Sequence, residues 1–328
     1  MNYEVKDCID AGSEYCPCHL AEANECILCS QLRDKDFCDC INWKGVCIYQ
    51  EFVWNGKKAK EGRKEIECTV LEKEYIFDDL AILKIDVPHK LAKELTSPGS
   101  FVFLRNFCDG HFFSAPVSVM ESNVEENIIT LVLEIKGVKT KKIDKVNQGE
   151  KILVKGPFWN GIFGLKNINK SKDKTSIIIA RGIGQAPIVP LIKKLYSNGN
   201  KIYTILDEKP FEKSFIDKYL EQYNCHVINT TLIGDKGEIT PEFKNILLSI
   251  IKKEDVNLVH SSAADIINYN VVNLIGETID FSCCNNAKMC CGEGVCGSCS
   301  VKNKYFDIER SCKLQVDPRN ILEGRKLL

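Results

Sequence analysis

Near its C-terminus the chain reads Met289-Cys290-Cys291-Gly292-Glu293-Gly294-Val295-Cys296-Gly297-Ser298-Cys299, with one more cysteine, Cys312, farther on. Cys291, Cys296 and Cys299 have the C-x4-C-x2-C spacing of plant-type 2Fe-2S sites, in which a distant fourth cysteine completes the set. Two bridged irons need four thiolates arriving from different directions, so whatever fold forms must curl its backbone tightly here. Gly292, Gly294 and Gly297 answer that demand, because glycine takes positive φ cheaply and lets amide N–H groups face the sulfurs. A zinc knuckle also uses four cysteines, but with paired short spacings. Cys283, Cys284 and Cys290 fit no ligand position and read as small buried or incidental thiols.

The chain has 328 residues, 44% of them hydrophobic, enough for two domains and an appendage. A formal net charge of -1, with lysines interleaved among acids, gives no drive toward nucleic acid or anionic lipid. No apolar run reaches the length of a membrane span, and Met1 to Cys8 lacks the basic and apolar regions of a signal peptide. The expectation is a cytoplasmic protein with no nucleic-acid and no membrane partner. In a reducing compartment the 18 cysteines point to metal binding rather than disulfides. Eight fall within the first 47 residues and seven between Cys283 and Cys312.

Apolar residues are sparse in the opening segment, so a metal centre is expected to substitute for a core there. Its candidate ligands are Cys16, Cys18, Cys26, Cys29, Cys38, Cys40 and Cys47, with Cys8 and His19 nearby. Short C-x2-C and C-x-C pairs suit either structural zinc or an additional iron–sulfur cluster, and eight thiols suffice for two centres.

From about Lys64 the pattern changes to short β-branched and aromatic runs at Ile66–Leu71, Leu80–Ile85, Phe101–Leu104, Val117–Met120, Ile128–Ile135 and Lys151–Val154. Six such strands predict a small antiparallel barrel with Greek-key order. Beyond Gly156-Pro157, strands alternate with helices: strand Ser176–Ala180, helix Ile188–Tyr196, strand Lys201–Leu206, helix Phe211–Tyr223, strand His226–Asn229, a helix capped by Thr240, strand Val256–Val259 and helix Ala264–Leu274. That order predicts a doubly wound parallel sheet. Gly182-Ile183-Gly184 between strand and helix reads either as a pyrophosphate seat or as a turn required only for packing, and Asp207 at the next strand end either as a ribose ligand or as a turn residue. The regions are 1–60 cysteine-rich, 61–157 barrel, 158–280 α/β and 281–328 cluster domain.

This order resembles the ferredoxin-NADP reductase superfamily over about residues 64 to 320. Within it the chain is similar to the branch that includes the electron-transfer subunit of dihydroorotate dehydrogenase type B and the small subunit of sulfide dehydrogenase. Met289-x-Cys291-Gly292-x-Gly294-x-Cys296-x-x-Cys299 resembles that branch's cluster loop, and Gly156-Pro157-Phe158-Trp159-Asn160-Gly161 resembles the turn after its barrel. Gly137-Val138-Lys139-Thr140 resembles its second flavin element, and Gly182-Ile183-Gly184-Gln185-Ala186-Pro187 its nucleotide loop. The resemblance implies FAD and, through the nucleotide domain, NAD(P)H. The implied cofactor residues are Pro116, Val117, Ser118, Gly137, Lys139, Thr140, Gly182, Gly184, Gln185, Ala186 and Pro187, beside Asp207 from its place at the strand end. The implied 2Fe-2S ligands are Cys291, Cys296, Cys299 and Cys312.

Two departures accompany the likeness. The family's Arg-Pro-x-Ser strand reads Ala115-Pro116-Val117-Ser118 here, which removes a charge and a fork of donors from the flavin phosphates unless Arg105 or Lys139 compensates. The family's Cys-Gly-Pro turn near the nicotinamide is Ser261-Ser262-Ala263. The resemblance implies an oxidoreductase subunit that passes electrons between a nicotinamide cofactor or ferredoxin, FAD, 2Fe-2S and a partner catalytic flavoprotein or dehydrogenase subunit, with no acid–base residue for bond cleavage. The rival expectation, motivated by the departures, is a metal-stabilised adaptor or redox sensor on a degenerate reductase fold.

Overall fold

The structure, a computed structural model, describes residues 6–40, 43–234, 237–303 and 307–325. The first five residues, part of the N-terminal reading above, lie outside them. The N-terminal segment contributes a two-residue strand β1 (Asp7–Cys8) and short helices α1 (His19–Glu22) and α2 (Ile48–Trp54). Ala21, Leu32 and Phe52 form a small apolar cluster inside it.

Six strands then close a barrel: β2 (Glu65–Phe77), β3 (Leu80–Asp86), β4 (Phe101–Asn106), β5 (Ala115–Asn123), β6 (Ile128–Glu134) and β7 (Lys151–Phe158). Helices α3 (His89–Glu94) and α4 (Val138–Ile143) interrupt them. The spatial order β2-β3-β6-β5-β4-β7, antiparallel throughout, is the Greek-key arrangement expected from the sequence. Alternating residues such as Leu83 and Ile85, and Ile129, Leu131 and Leu133, fill its interior. All six strands run longer than the apolar runs or match them closely, because ladder pairing carries the polar ends.

A short strand β8 (Ile162–Phe163) and helix α5 (Leu165–Lys170) lead into the α/β region. It comprises β9 (Thr175–Arg181), α6 (Gln185–Ser197), β10 (Lys201–Asp207), α7 (Asp217–Gln222), β11 (His226–Asn229), α8 (Pro241–Lys253), β12 (Val256–Ser262), α9 (Asp265–Ile275) and β13 (Asp280–Cys284). The order β11-β10-β9-β12-β13 is parallel, with β8 antiparallel on the edge. Thr240 starts α8 as expected, its Oγ1 accepting from the Phe243 N–H at 3.3 Å, with Pro241 in the first turn.

One sequence expectation is revised and one strand is added. The helix anticipated over Phe211–Tyr223 forms only over Asp217–Gln222. Phe211 instead stacks on Phe77 of the barrel at 5.4 Å, and Ile216 is fully buried, so tertiary packing overrides helix propensity. The sheet also takes its last parallel strand from Asp280–Cys284, which explains why Cys283 is buried in the core.

The barrel and sheet share a core. Leu80, Met120 and Val132 of the barrel pack with Ile178, Ile188 and Leu191 of the α/β region, and α6 lies against β5. The chain ends in a hairpin of β14 (Ser300–Lys302) and β15 (Ile308–Arg310), strand β16 (Leu314–Gln315) and α10 (Arg319–Leu322). Strand β1 pairs with β16, and Leu20 and Ile27 join the core that holds Leu314 and Val316. The cysteine-rich segment is thus bound to the C-terminal region instead of standing alone.

Candidate functional site

The parallel order reverses between β9, whose next strand β10 lies on one side, and β12 on the other, and such switch points open a crevice at the carboxyl ends of the strands. A cleft of about 390 Å³ occupies this place and extends to the barrel. Its barrel wall includes Pro116, Val117, Ser118 and Thr140; its sheet wall includes Gly184, Ala186, Pro187 and Ser262; the C-terminal segment adds Asn286 and Met289. Three regions distant in sequence therefore meet at one hollow.

Close packing makes the turn after β9 specific. A Cβ on Gly184 would stand 2.1 Å from the Ser262 carbonyl oxygen, so only glycine lets that turn lie against the end of β12. The Ser262 hydroxyl is buried without a hydrogen-bond partner. The lining combines apolar faces such as Phe101, Val117, Leu133 and Met289 with polar groups at Ser118, Thr140 and Ser262. That mixture fits a planar apolar ring carrying polar substituents.

Not every anticipated residue reaches the cleft. Gly137 caps α4, with its N–H donating to Thr140 Oγ1 at 3.2 Å, while Lys139 Nζ donates to the Ser114 carbonyl at 2.8 Å. Gly182 and Gln185 are buried, and Gln185 Oε1 accepts from the Phe215 N–H at 3.3 Å. Asp207 is buried, its carboxylate bonded to Arg181 Nε at 3.0 Å, Lys209 N at 3.1 Å and Leu232 N at 3.0 Å. Arg105 is held by Glu65 and the Asp109 carbonyl. Arg181, in contrast, lines the cleft and is a cation that sequence reasoning passed over. Its position at the last residue of the strand before the glycine turn was the available signal.

Beside the cleft lies the cysteine loop. Gly292 (φ +70°) lies against Phe158, where a Cβ would come within 2.3 Å of the ring, and the Glu293 N–H donates to Cys291 Sγ at 3.3 Å. Cys299 and Cys312 are buried together with Phe101, Phe103, Phe158 and Met289. A hydrogen bond from the Cys312 thiol pulls Cys299 down to about 6, and the same contact pushes Cys312 up. Cys296 is exposed. Among the described residues no three His, Cys, Asp or Glu side chains close on a single point as ligands of one metal ion. The positive-φ glycines, the amide directed at sulfur and the paired buried thiols nonetheless fit the chemistry of a cluster loop.

Behind the loop a buried quartet of charges joins three parts of the chain. Arg63 bonds Asp10 at 2.8 Å and Glu293 at 3.0 Å, and Lys313 contacts Asp10 and stands 3.1 Å from Glu293. Arg63 also lies over Tyr15 at 4.0 Å and Phe158 at 4.5 Å. Burial raises the Asp10 and Glu293 carboxyls, but Lys313 and Arg63 outweigh it and leave both below the usual range. Two cations against two anions leave the group neutral, as burial requires.

Residues 67–161 match the oxidoreductase FAD-binding domain family. The electron transfer subunit of dihydroorotate dehydrogenase B (NAD(+)) from Fusobacterium nucleatum is 29% identical over 249 residues, covering 74% of this chain and 91% of that protein. The same subunit from Clostridium acetobutylicum is 27% identical, covering 66% of this chain and 81% of its own. Among solved structures, an NADH-dependent reduced ferredoxin-NADP oxidoreductase, described for flavin-based electron bifurcation, overlays with a TM-score of 0.62 at 20% identity. It covers 79% of this chain and 92% of its own, a likeness of fold.

Proposed function

We propose, from the premise that this chain belongs to the oxidoreductases with an FAD-binding domain of the ferredoxin-NADP reductase type and is homologous to the electron transfer subunit of dihydroorotate dehydrogenase B, that it is itself an electron-transfer subunit. It passes electrons between a nicotinamide cofactor or ferredoxin, FAD, a 2Fe-2S cluster and a partner catalytic subunit. The observation that carries this reading is the adjacency of cleft and cysteine loop: Phe101 and Met289 line the cleft and also pack with Cys299 and Cys312. A bound flavin exchanges two electrons with a hydride donor and single electrons with an iron–sulfur cluster, which carries one at a time.

The chain's own residues bind and orient. Pro116, Val117 and Ser118 line the cleft and would bind a flavin there, and the apolar lining would exclude water from it. Arg181, whose Nε is held by Asp207, offers the rest of its guanidinium as a donor for the cofactor's phosphates in the absence of an arginine at Ala115. Cys291, Cys296, Cys299 and Cys312 hold the 2Fe-2S cluster, and Gly292 allows the loop to approach Phe158. Asp207, with its oxygens engaged by Arg181, Lys209 and Leu232, gives little support to a ribose contact, so discrimination between NADH and NADPH rests on other residues. The N-terminal thiols add a further relay, and the subunit works in the cytoplasm.

Ala115 and the Ser261-Ser262-Ala263 turn favour a second reading, a metal-stabilised adaptor that has lost its flavin. Releasing the cofactor by denaturation and quantifying it separates the two. About one FAD per chain supports electron transfer; a flavin-free chain that also fails to take up added FAD supports the adaptor.

A further inference from the structure

The eight N-terminal cysteines fall into two groups of like spacing. Cys8, Cys16, Cys18 and Cys26 have 7, 1 and 7 residues between them, and Cys29, Cys38, Cys40 and Cys47 have 8, 1 and 6. Each group is a central C-x-C pair flanked by a single cysteine on either side. The C-x2-C of Cys26 and Cys29 stands where the two groups meet.

The fold separates the same two groups in space. Cys8, Cys16, Cys18 and Cys26 line one hollow, while Cys29, Cys38, Cys40 and Cys47 line a second. Leu28 and Ile48 form part of both walls and stand between them. The Cys29 N–H donates to Cys26 Sγ at 3.4 Å. Hydrogen bonds to sulfur of this kind accompany iron–sulfur ligation.

We propose that the N-terminal segment holds two four-thiolate iron–sulfur clusters, an inner one on Cys8, Cys16, Cys18 and Cys26 and an outer one on Cys29, Cys38, Cys40 and Cys47. A single zinc ion draws four thiolates together on bonds of about 2.3 Å. Here each set of four thiols lines its own hollow instead. A polynuclear cluster, wider than one ion, suits that arrangement better.

Position gives the clusters an order. Leu20 lines the inner hollow and also lies against Gly294, whose Cβ would stand 3.1 Å from Leu20 Cγ. Strand β1, which carries Cys8, pairs with Leu314, two residues beyond Cys312. The inner site therefore adjoins the C-terminal cysteine loop, whereas the outer one includes the exposed Cys38 and Cys40. This deepens the relay of the proposed function and rests on it only for the use of the clusters, not for their existence.

The test is iron and acid-labile sulfide analysis of the anaerobically purified full chain, with electron paramagnetic resonance after dithionite reduction. The expectation is about ten irons and ten sulfides per chain, given a two-iron plant-type loop and two four-iron sites. Cys16→Ser/Cys18→Ser removes about four irons, and Cys38→Ser/Cys40→Ser removes a different four. Native mass spectrometry of the unmutated protein gives the cluster count should a variant not fold. Zinc without sulfide, eight N-terminal thiols that all react freely, or one shared loss from both double variants overturns the proposal. A chain with both four-iron sites but no flavin contradicts the electron-transfer reading and leaves this one standing; a flavoprotein with only two irons does the reverse.

Discussion

Asp10, Arg63, Glu293 and Lys313 show how single residues bind the N-terminal segment to the cysteine loop. Replacing Asp10 with Asn leaves Lys313 undercompensated in a fully buried site, and breaking such a group costs about 3–5 kcal/mol. Urea unfolding monitored by near-ultraviolet dichroism should register that loss. Because the folded-state pKa values of Asp10 and Glu293 are lowered, their stabilisation is present above about pH 4, the unfolded carboxylate range, and disappears as pH falls through the folded values. Asp10→Asn should shrink that acid-limb loss. His260 adds a separate slope: burial pushes it down to about 3, with Nδ1 bonded to Ser282 Oγ at 2.9 Å. The unfolded chain binds its proton first, so stability falls below about pH 6.5 by up to about 1.4 kcal/mol per unit, and His260→Asn should flatten the curve down to about pH 3. Arg181→Met should weaken FAD or nucleotide binding by about tenfold or more, as loss of a charged hydrogen bond costs about 1.5–3 kcal/mol; equilibrium dialysis against the cofactor checks this.

At the scale of elements, two glycine turns set the working surfaces. Gly292→Ala forces both a positive φ and a collision with Phe158, and should lower iron content while leaving bound flavin largely intact. Gly184→Ala drives a methyl into the Ser262 carbonyl and should have the opposite outcome, losing cofactor from the cleft and retaining iron. Measuring both quantities on both variants tests the division of labour. The barrel strands and the helix start at Thr240 were legible because periodicity, turn residues and caps are local signals. The Phe211 segment was not, since its conformation is decided by a ring on β2 far away in sequence. The cysteine spacing is a local pattern visible in the sequence alone, whereas Arg181 and the engaged state of Asp207 depend on partners that only folding brings together.

For the molecule as a whole, the central claim is that barrel, nucleotide-type sheet and cysteine loop converge so that electrons pass among them. No helix among the described residues is long and apolar enough to cross a membrane. The adjacency of cleft and loop was beyond the sequence, which supplied the parts but not their meeting at Phe101 and Met289. An anaerobic ultraviolet–visible titration of the full chain tests it most directly. NADH or NADPH is added stepwise, then dithionite, with flavin and iron absorbance followed together. The account predicts that flavin absorbance bleaches and that the 2Fe-2S absorbance falls with it, under the nucleotide or, where ferredoxin is the natural donor, under dithionite. A protein whose iron absorbance bleaches while no flavin band is present, or whose flavin is reduced without any electrons reaching the cluster, contradicts it.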